Sequence, residues 1–295
     1  MDFTNSLEIT FFGMRRSGNH AVINWIRSQT QGTFIHLNNV NLYSGCDPYQ
    51  HFTQAVISEV NPLVAERGLR SFKRFSKYLL RCGKVEYLYG VDERHSELIK
   101  RESWRALKKI LLVRSYEHYS LQDAIHDWFE AEREQNVGRS QHQFDIVLVR
   151  DPYNLFASLI KTSNNISELS NSQLVIDKWK EHAKEYLGYT NHLKHQVGIS
   201  YNAWFQDQEY RRELADRLKL TFTDDGMDSV PMFGKGSSFD GQRFDGNARK
   251  MGVLSRYKHF LDHPVMEQVL ADQEIRELSY TIFGDILEPA SLPTL

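Results

Sequence analysis

The chain has 295 residues, 41% hydrophobic and 25% charged, an ordinary globular composition whose length fits one large α/β domain with insertions or two small ones. A formal net charge of −2 excludes a global electrostatic footprint for nucleic acid, so any anion site must come from local clustering. Two cysteines, Cys46 and Cys82, stand at no metal-like spacing, which excludes a disulfide framework or a zinc site built on them. The opening MDFTNSLEITFFGM has no basic segment and no long apolar one, and no later run approaches the roughly 18 apolar residues of a spanning helix. A cytoplasmic location is the expectation.

The first informative stretch is Leu7 to Arg27. Ile9 to Phe12 is an apolar run of one buried strand's length, and a turn with glycines at Gly13 and Gly18 follows. Ala21 to Ile26 then carries apolar positions that suit a helix packed on a sheet. Strand, glycine loop and helix together aim backbone N–H groups and a helix N-terminus at a phosphate. The Gly13–Gly18 spacing is that of a nucleotide P-loop, but Asn19-His20 stands where that motif places Lys-Ser/Thr. The Lys would contact β/γ-phosphates and the hydroxyl would hold Mg²⁺. The loop therefore reads as a phosphate cradle not built for Mg-ATP, with Arg15 and Arg16 supplying fixed charge and forked donors. The plainer reading is a structural turn.

Further along, Thr33 to Leu37 predicts a second strand, and the polar Asn38 to Tyr49 a loop at the rim of an acceptor pocket. Pro62 to Lys84 predicts a helix with Phe72, Phe75, Leu79 and Cys82 on one stripe and Arg67, Arg70, Lys73, Arg74, Lys77, Arg81 and Lys84 elsewhere. A solvated basic face explains it; peripheral contact with an acidic acceptor, an anionic lipid surface or a partner protein is the sharper reading. Val85 to Val91 suits a strand and Ser96 to Leu107 a helix, so a helical insertion is expected at about 50–105 within a single domain spanning 1–295. Lys109 to Val113 is a continuous β-favouring run, as in a strand covered on both faces. It exits into Arg114 to His118, where polar side chains face the crevice in which α/β proteins bind ligands.

Ser120 to Glu134 predicts an amphipathic helix. Phe144 to Val149 is a second buried strand, with Arg150 at its exit, Asp151 as N-cap and Pro152 at the first helical position; Ser158 lies two turns on. A long helix is expected over Asn171 to His195, a short strand at Gly198 to Tyr201, and a helix over Gln206 to Leu220. Thr223 to Gly252 is glycine-rich and irregular, with Lys235, Arg243, Arg249 and Lys250 spread through it, and a loop that long is usually functional or disordered. Pro264 to Phe283 closes the chain as a helix. Such strand–helix alternation argues for a three-layer α/β/α architecture around a central parallel sheet.

These motifs coincide with one family. The chain resembles the sulfotransferases that use 3′-phosphoadenosine-5′-phosphosulfate (PAPS) and release adenosine 3′,5′-bisphosphate (PAP). Arg15-Arg16-Ser17-Gly18-Asn19-His20 resembles their 5′-phosphosulfate loop, roughly Pro-Lys-Ser-Gly-Thr-Thr. Arg150-Asp151-Pro152 with Ser158 resembles their 3′-phosphate element, and Tyr201 the tyrosine near the adenine. Arg249-Lys250, with Gly252 one place further on, is a looser likeness to their late Arg-Lys-Gly loop. The resemblance implies a P-loop NTPase-like sulfotransferase fold, PAPS as donor and no metal requirement. Arg16 stands at the position of the lysine that stabilises the bridging oxygen, and Ala21 where the cytosolic enzymes stack a tryptophan on the adenine. Glu117 and His118 are both candidates for the general base. A P-loop kinase with a degenerate loop and a non-catalytic nucleotide-binding protein are the rival readings. The acceptor, a small molecule, glycan or lipid, is open.

Overall fold

The computed structural model describes residues 3–40, 48, 52–59, 76–81, 84–89, 108–124, 133–162, 169, 171–231 and 236–287, with the backbone alone over 52–59, 76–81, 84–89 and 123–124. Its strands are β1 (Asn5–Gly13), β2 (Phe34–Val40), β3 (Phe52–Glu59), β4 (Ser76–Arg81), β5 (Lys84–Tyr89), β6 (Lys109–Glu117), β7 (Ser140–Val149) and β8 (Gln196–Ser200). They order as β5-β4-β3-β2-β6-β1-β7-β8. The five from β2 to β8 in that order form an all-parallel sheet flanked by helices, an α/β fold. The helices are α1 (Asn19–Ser28), α2 (Leu121–Ala124), α3 (Pro152–Thr162), α4 (Ser172–Tyr186), α5 (Tyr201–Gln206), α6 (Gln208–Arg217), α7 (Pro264–Ala271) and α8 (Gln273–Phe283).

The chain divides into two compact units. One holds Met1–Phe12, Thr30–Glu117 and Gln122–Asp145; the other holds Gly13–Gln29, His118–Leu121 and Ile146–Leu295. In the first, β2 and β6 pair in parallel, Phe34 opposite Leu111 and Leu37 opposite Arg114. Leu111, Leu112 and Val113 are buried with Leu7, Ile9 and Phe11, because a parallel strand covered on both faces takes apolar residues at consecutive positions rather than alternate ones. Phe12 stacks on Tyr116 at 5.3 Å between centroids. Within this core the Glu8 carboxylate is buried between two guanidinium groups, 2.7 Å from Arg114 Nη2 and 2.6 Å from Arg133 Nη1.

Strands β3, β4 and β5 extend that sheet antiparallel to one another, with a register shift between Leu79 and Leu80. This corrects the expected helix over Pro62 to Lys84: its described residues, Ser76 to Arg81 and Lys84, are extended, and residues 62–75 lie outside the described residues. Within the expected helical insertion at about 50–105, all described stretches are strands. The physical reason is cross-strand pairing: Lys77 stands opposite Tyr89 and Arg81 opposite Lys84, and the Tyr and Val positions of these two strands favour a pleated surface. The helix expected over Ser96 to Leu107 lies outside the described residues. Of the one expected over Ser120 to Glu134, α2 covers Leu121–Ala124, and residues 125–132 lie outside them.

In the second unit the helices differ from expectation at their ends. α4 stops at Tyr186, nine residues short of His195, where Gly188 takes a left-handed φ of 75°. The buried Glu185 carboxylate then accepts from the amides of His192 and Leu193 and from Thr190 Oγ1, so it binds the returning chain. The single helix expected over Pro264 to Phe283 is two. Asp272 leaves the helical region at ψ 111° and caps α8 by accepting from Ile275 N at 3.0 Å. Among the described residues no helix is long and apolar enough to cross a membrane.

Replacing Glu8 leaves two buried guanidinium groups facing each other without their carboxylate. Glu8→Ala is expected to lower unfolding free energy by about 3–5 kcal/mol in urea titration, and a loss below about 1 kcal/mol would show that the first unit does not depend on this pair.

Candidate anion site around Arg150

The second unit contains the glycine loop, the β7 exit and the chain after β8 together. From Met14 to Gly18 the backbone turns sharply. Arg16 is held at φ 68° and Gly18 at φ 97°, a region a residue with Cβ enters only at a cost. Ser17 N–H donates to Met14 O, and the amides of Ala21 and Val22 both donate to Gly18 O. The helix that follows has no side-chain cap and no acid in its first turn, which leaves the positive end of its dipole unscreened by the chain's own carboxylates.

Two contacts fix this turn. A Cβ on Gly18 would lie 2.2 Å from the Tyr201 ring, so the loop backbone lies directly against the ring. A Cβ on Gly13 would lie 2.2 Å from Asn19 Oδ1, and Asn19 Nδ2 donates to Met14 O at 3.2 Å. Asn19 thus folds back to brace the loop. The loop amide of Ser17 is likewise turned inward, so neither of these two groups is presented to a ligand as the sequence pattern suggests. His20 sits half-buried in the first turn of α1, and Arg15 and Arg16 are half-buried in the loop.

At the β7 exit, Arg150 is 2% exposed. Its Nη1 donates to Arg16 O at 2.9 Å and lies 3.4 Å from Ser158 Oγ; its Nη2 donates to Val253 O at 2.6 Å. Its guanidinium lies over the Tyr201 ring, 5.0 Å from the centroid. The backbone is held as firmly, since Trp179 Nε1 donates to Arg150 O at 2.9 Å. No carboxylate lies within 4.0 Å of Arg150 among the described residues, and its buried Nε has no partner there. The adjacent Asp151 does not supply one. Its carboxylate accepts from Asn154 N and Nδ2 and from Asn202 Nδ2. Burial pushes its pKa up, against the opposing effects of Arg150 and those donors. Asp151 therefore fastens β7 to α3 and α5, as an N-cap does, and makes no ion pair with Arg150. Ser158 Oγ donates to Asn154 O and offers its remaining capacity toward Arg150.

Tyr201 also stacks on Phe205 at 6.1 Å and packs against Trp204 at 5.6 Å. Arg256, equally buried, has its Nη2 on Ser237 Oγ and Asp240 and its guanidinium over Phe239. Asn202, Asn154, Trp179, the Val253 carbonyl and Arg256 were not singled out from the sequence. Asn202 directly follows Tyr201 and Asn154 lies three residues after Asp151; Trp179 and the Val253 carbonyl meet Arg150 across long stretches of chain.

The remaining candidates separate. Arg249, in a 3-10 turn over Ala248–Lys250, pairs with Asp224 at 3.2 Å and Asp228 at 3.5 Å, and Lys250 is exposed. Asp224 is the shared partner of Arg211, Trp25 Nε1 and Arg249. Glu117 ends β6 in the first unit, whereas His118 belongs to the second with the loop. The His118 backbone has φ 63° and its buried Nε2 has no hydrogen-bond partner among the described residues. Burial, then the charges of Arg15, Lys178 and His182, push its pKa down from 6.5 to about 3. The imidazole is neutral at any neutral pH. Among the described residues no group of three His, Cys, Asp or Glu is placed to hold a metal ion.

Two outcomes follow. Gly18→Ala meets both a left-handed φ and the Tyr201 ring, so it should cost well over the ~1 kcal/mol of backbone strain alone; in a Tyr201→Ala background the added cost should shrink toward that value, measured by a double-mutant cycle. As for pH, the unfolded chain binds a proton on His118 below about 6.5 that the folded chain refuses until about 3. This contribution to stability is complete above that window and is lost as pH falls through it. His118→Asn should flatten the acid limb of the stability profile there, and an unchanged limb would mean that His118 is not shielded from protons.

No family model matches the chain, and no curated protein matches it. Two solved structures are similar over nearly its whole length. The sulfotransferase domain from the curacin biosynthetic pathway is 13% identical with a TM-score of 0.40, covering 97% of this chain and 98% of that one. The crystal structure of mouse sulfotransferase SULT7A1 complexed with PAP is 10% identical with a TM-score of 0.41, covering 94% of this chain and 89% of that one. Both are sulfotransferase structures, and no residue of this chain takes a role from either.

Proposed function

We propose that this chain is a PAPS-dependent sulfotransferase, moving a sulfuryl group to a hydroxyl or amine of a small-molecule, glycan or lipid acceptor. The observation that carries the reading is Arg150: a buried guanidinium with no carboxylate partner among the described residues, tied to the loop through Arg16 O and to Ser158. Burying a cation without an anion is costly, and a 3′-phosphate against Arg150 and Ser158 would supply one. The unpartnered Nε and the forked geometry of arginine fit a phosphate. The α1 N-terminus, with Gly18 and His20, would hold the 5′-phosphosulfate, and Tyr201 would offer a ring to the adenosine.

In the transfer, the acceptor oxygen or nitrogen attacks sulfur roughly in line with the bond from sulfur to the bridging phosphate oxygen. That bond breaks, and its electron pair stays on the oxygen of the departing bisphosphate, where Arg16 offsets the growing charge. The acceptor's proton passes to a base. His118 is assigned that role over Glu117 because it lies in the loop's own unit and its Nε2 is unpartnered. A neutral imidazole is the competent form; burial maintains it first, and the charges of Arg15 and Lys178 add to it. Seating an anionic donor near Arg15 offsets part of that positive field, so the imidazole becomes more basic when the donor is bound. General-base assistance is worth about 10²- to 10⁴-fold.

The test is thermal stabilisation by adenosine 3′,5′-bisphosphate without metal, set beside Mg-ATP. A native-state ligand at a hundredfold excess over its Kd stabilises by about 2.7 kcal/mol. The bisphosphate should shift the melting temperature, Ser158→Ala should weaken binding severalfold, and Arg150→Lys, which keeps charge but loses the fork, by about tenfold or more. A shift with Mg-ATP alone would replace this reading with a kinase.

A further inference from the structure

The candidate base sits on a segment that the rest of the second unit grips in an unusual way. His118 is the first residue of a four-residue stretch, His118–Leu121, and its φ of 63° is a left-handed conformation a β-carbon disfavours. Three side chains of α4 hold this stretch. Lys178 Nζ donates to His118 O at 2.6 Å. Glu181 Oε1 accepts from both Ser120 Oγ and Leu121 N at 2.8 Å. His182 Nε2 lies 3.3 Å from Tyr119 O. Since a carbonyl only accepts, the His182 proton is on Nε2. Lys178, Glu181 and His182 stand at i, i+3 and i+4, one face of the helix. Successive residues of the stretch are thus each tied to one helix, His118, Tyr119 and Leu121 through the backbone and Ser120 through its hydroxyl.

We infer that Lys178, Glu181 and His182 are positioning residues for the His118 imidazole, fixing where it stands and which charge it carries. The inference rests on the reading of His118 as base. Four hydrogen bonds from three side chains meet four consecutive residues, and they hold a strained conformation that relaxes if released. The consequence is directional: with the backbone held at residues 118, 119 and 121, the ring of His118 has only its own rotamers left, and its buried Nε2 has no partner among the described residues. Lys178 acts a second time through its charge. The charged and titratable groups that bear on His118 are Arg15 from the loop and Lys178 and His182 from α4, and all of them disfavour a proton on the ring.

The experiment follows the His118 imidazole by NMR in the whole, ligand-free protein, alongside kinetics. In Lys178→Gln the His118 resonance should titrate at higher pH than in the wild type. With a sulfated product as readout, kcat should fall about tenfold or more with donor KM and bisphosphate affinity unchanged, and Lys178→Arg should restore both. Glu181→Gln, a milder change, should lower kcat without moving the titration. An unmoved titration and unmoved kcat in Lys178→Gln would overturn the inference. If the wild type neither binds the bisphosphate nor transfers a sulfuryl group, the sulfotransferase reading fails, and the titration still decides whether α4 sets the His118 charge.

Discussion

A guanidinium sealed from water, with its neighbouring carboxylate turned elsewhere, is the constraint around which the second unit is arranged. Arg150 reaches the loop through Arg16 O, α3 through Ser158 and the chain after the 3-10 turn through Val253 O, while its charge lies over Tyr201. Each of these partners is a neutral oxygen or a ring face. Such partners solvate a cation without neutralising it. The arrangement holds because Asp151 is gripped by Asn154 and Asn202; a rotation toward Arg150 would trade those bonds for an ion pair and discharge the site. The positive potential at the β7 exit is therefore kept by the amides of two asparagines as much as by the arginine.

Burial is the first reason that His118 stays unprotonated, and nearby positive charge adds to it. Cations gathered for an anion necessarily repel a proton, and the Arg15 and Lys178 charges that disfavour imidazolium belong to the same unit as the loop. On the sulfotransferase reading proposed above, a donor seated beside Arg15 would answer part of that charge and raise the basicity of His118, which would link donor binding to proton acceptance through electrostatics.

What the sequence made legible is local. Arg150-Asp151-Pro152 announced a strand exit, a cap and a helix start because each of those signals acts within four residues, and the turn between Gly13 and Gly18 was visible for the same reason. Ser158 lay two helical turns on, and its closeness to Arg150 depended on how strand and helix fold back, which the structure shows at 3.4 Å. What stayed hidden depends on distant partners: Val253 meets Arg150 across 103 residues and Lys178 meets His118 across 60, and no spacing rule encodes either. Arg249 looked like a ligand arginine, yet Asp224 and Asp228, ordinary loop acids in the sequence, pair with it in the fold. The helix expected over Pro62 to Lys84 differs for another reason: a stripe at spacings of three and four is weak evidence over a short apolar stretch, and Ser76–Arg81 and Lys84 are strand residues in the fold.

Position 19 shows how one residue separates this loop from an ATP-binding one. A P-loop lysine there extends away from the backbone to reach a phosphate. Asn19 is too short to do so and turns the other way, donating to Met14 O and occupying the space where a β-carbon on Gly13 would lie. Its role is to close the loop on itself, and the glycine at 13 is required by that closure rather than by a ligand. With the lysine's charge gone from the helix start, positive charge enters from Arg15 and Arg16 before the turn and from Arg150 across it. On the sulfotransferase reading, charge held apart at the loop and at Arg150 would match a donor carrying negative charge at two separated places.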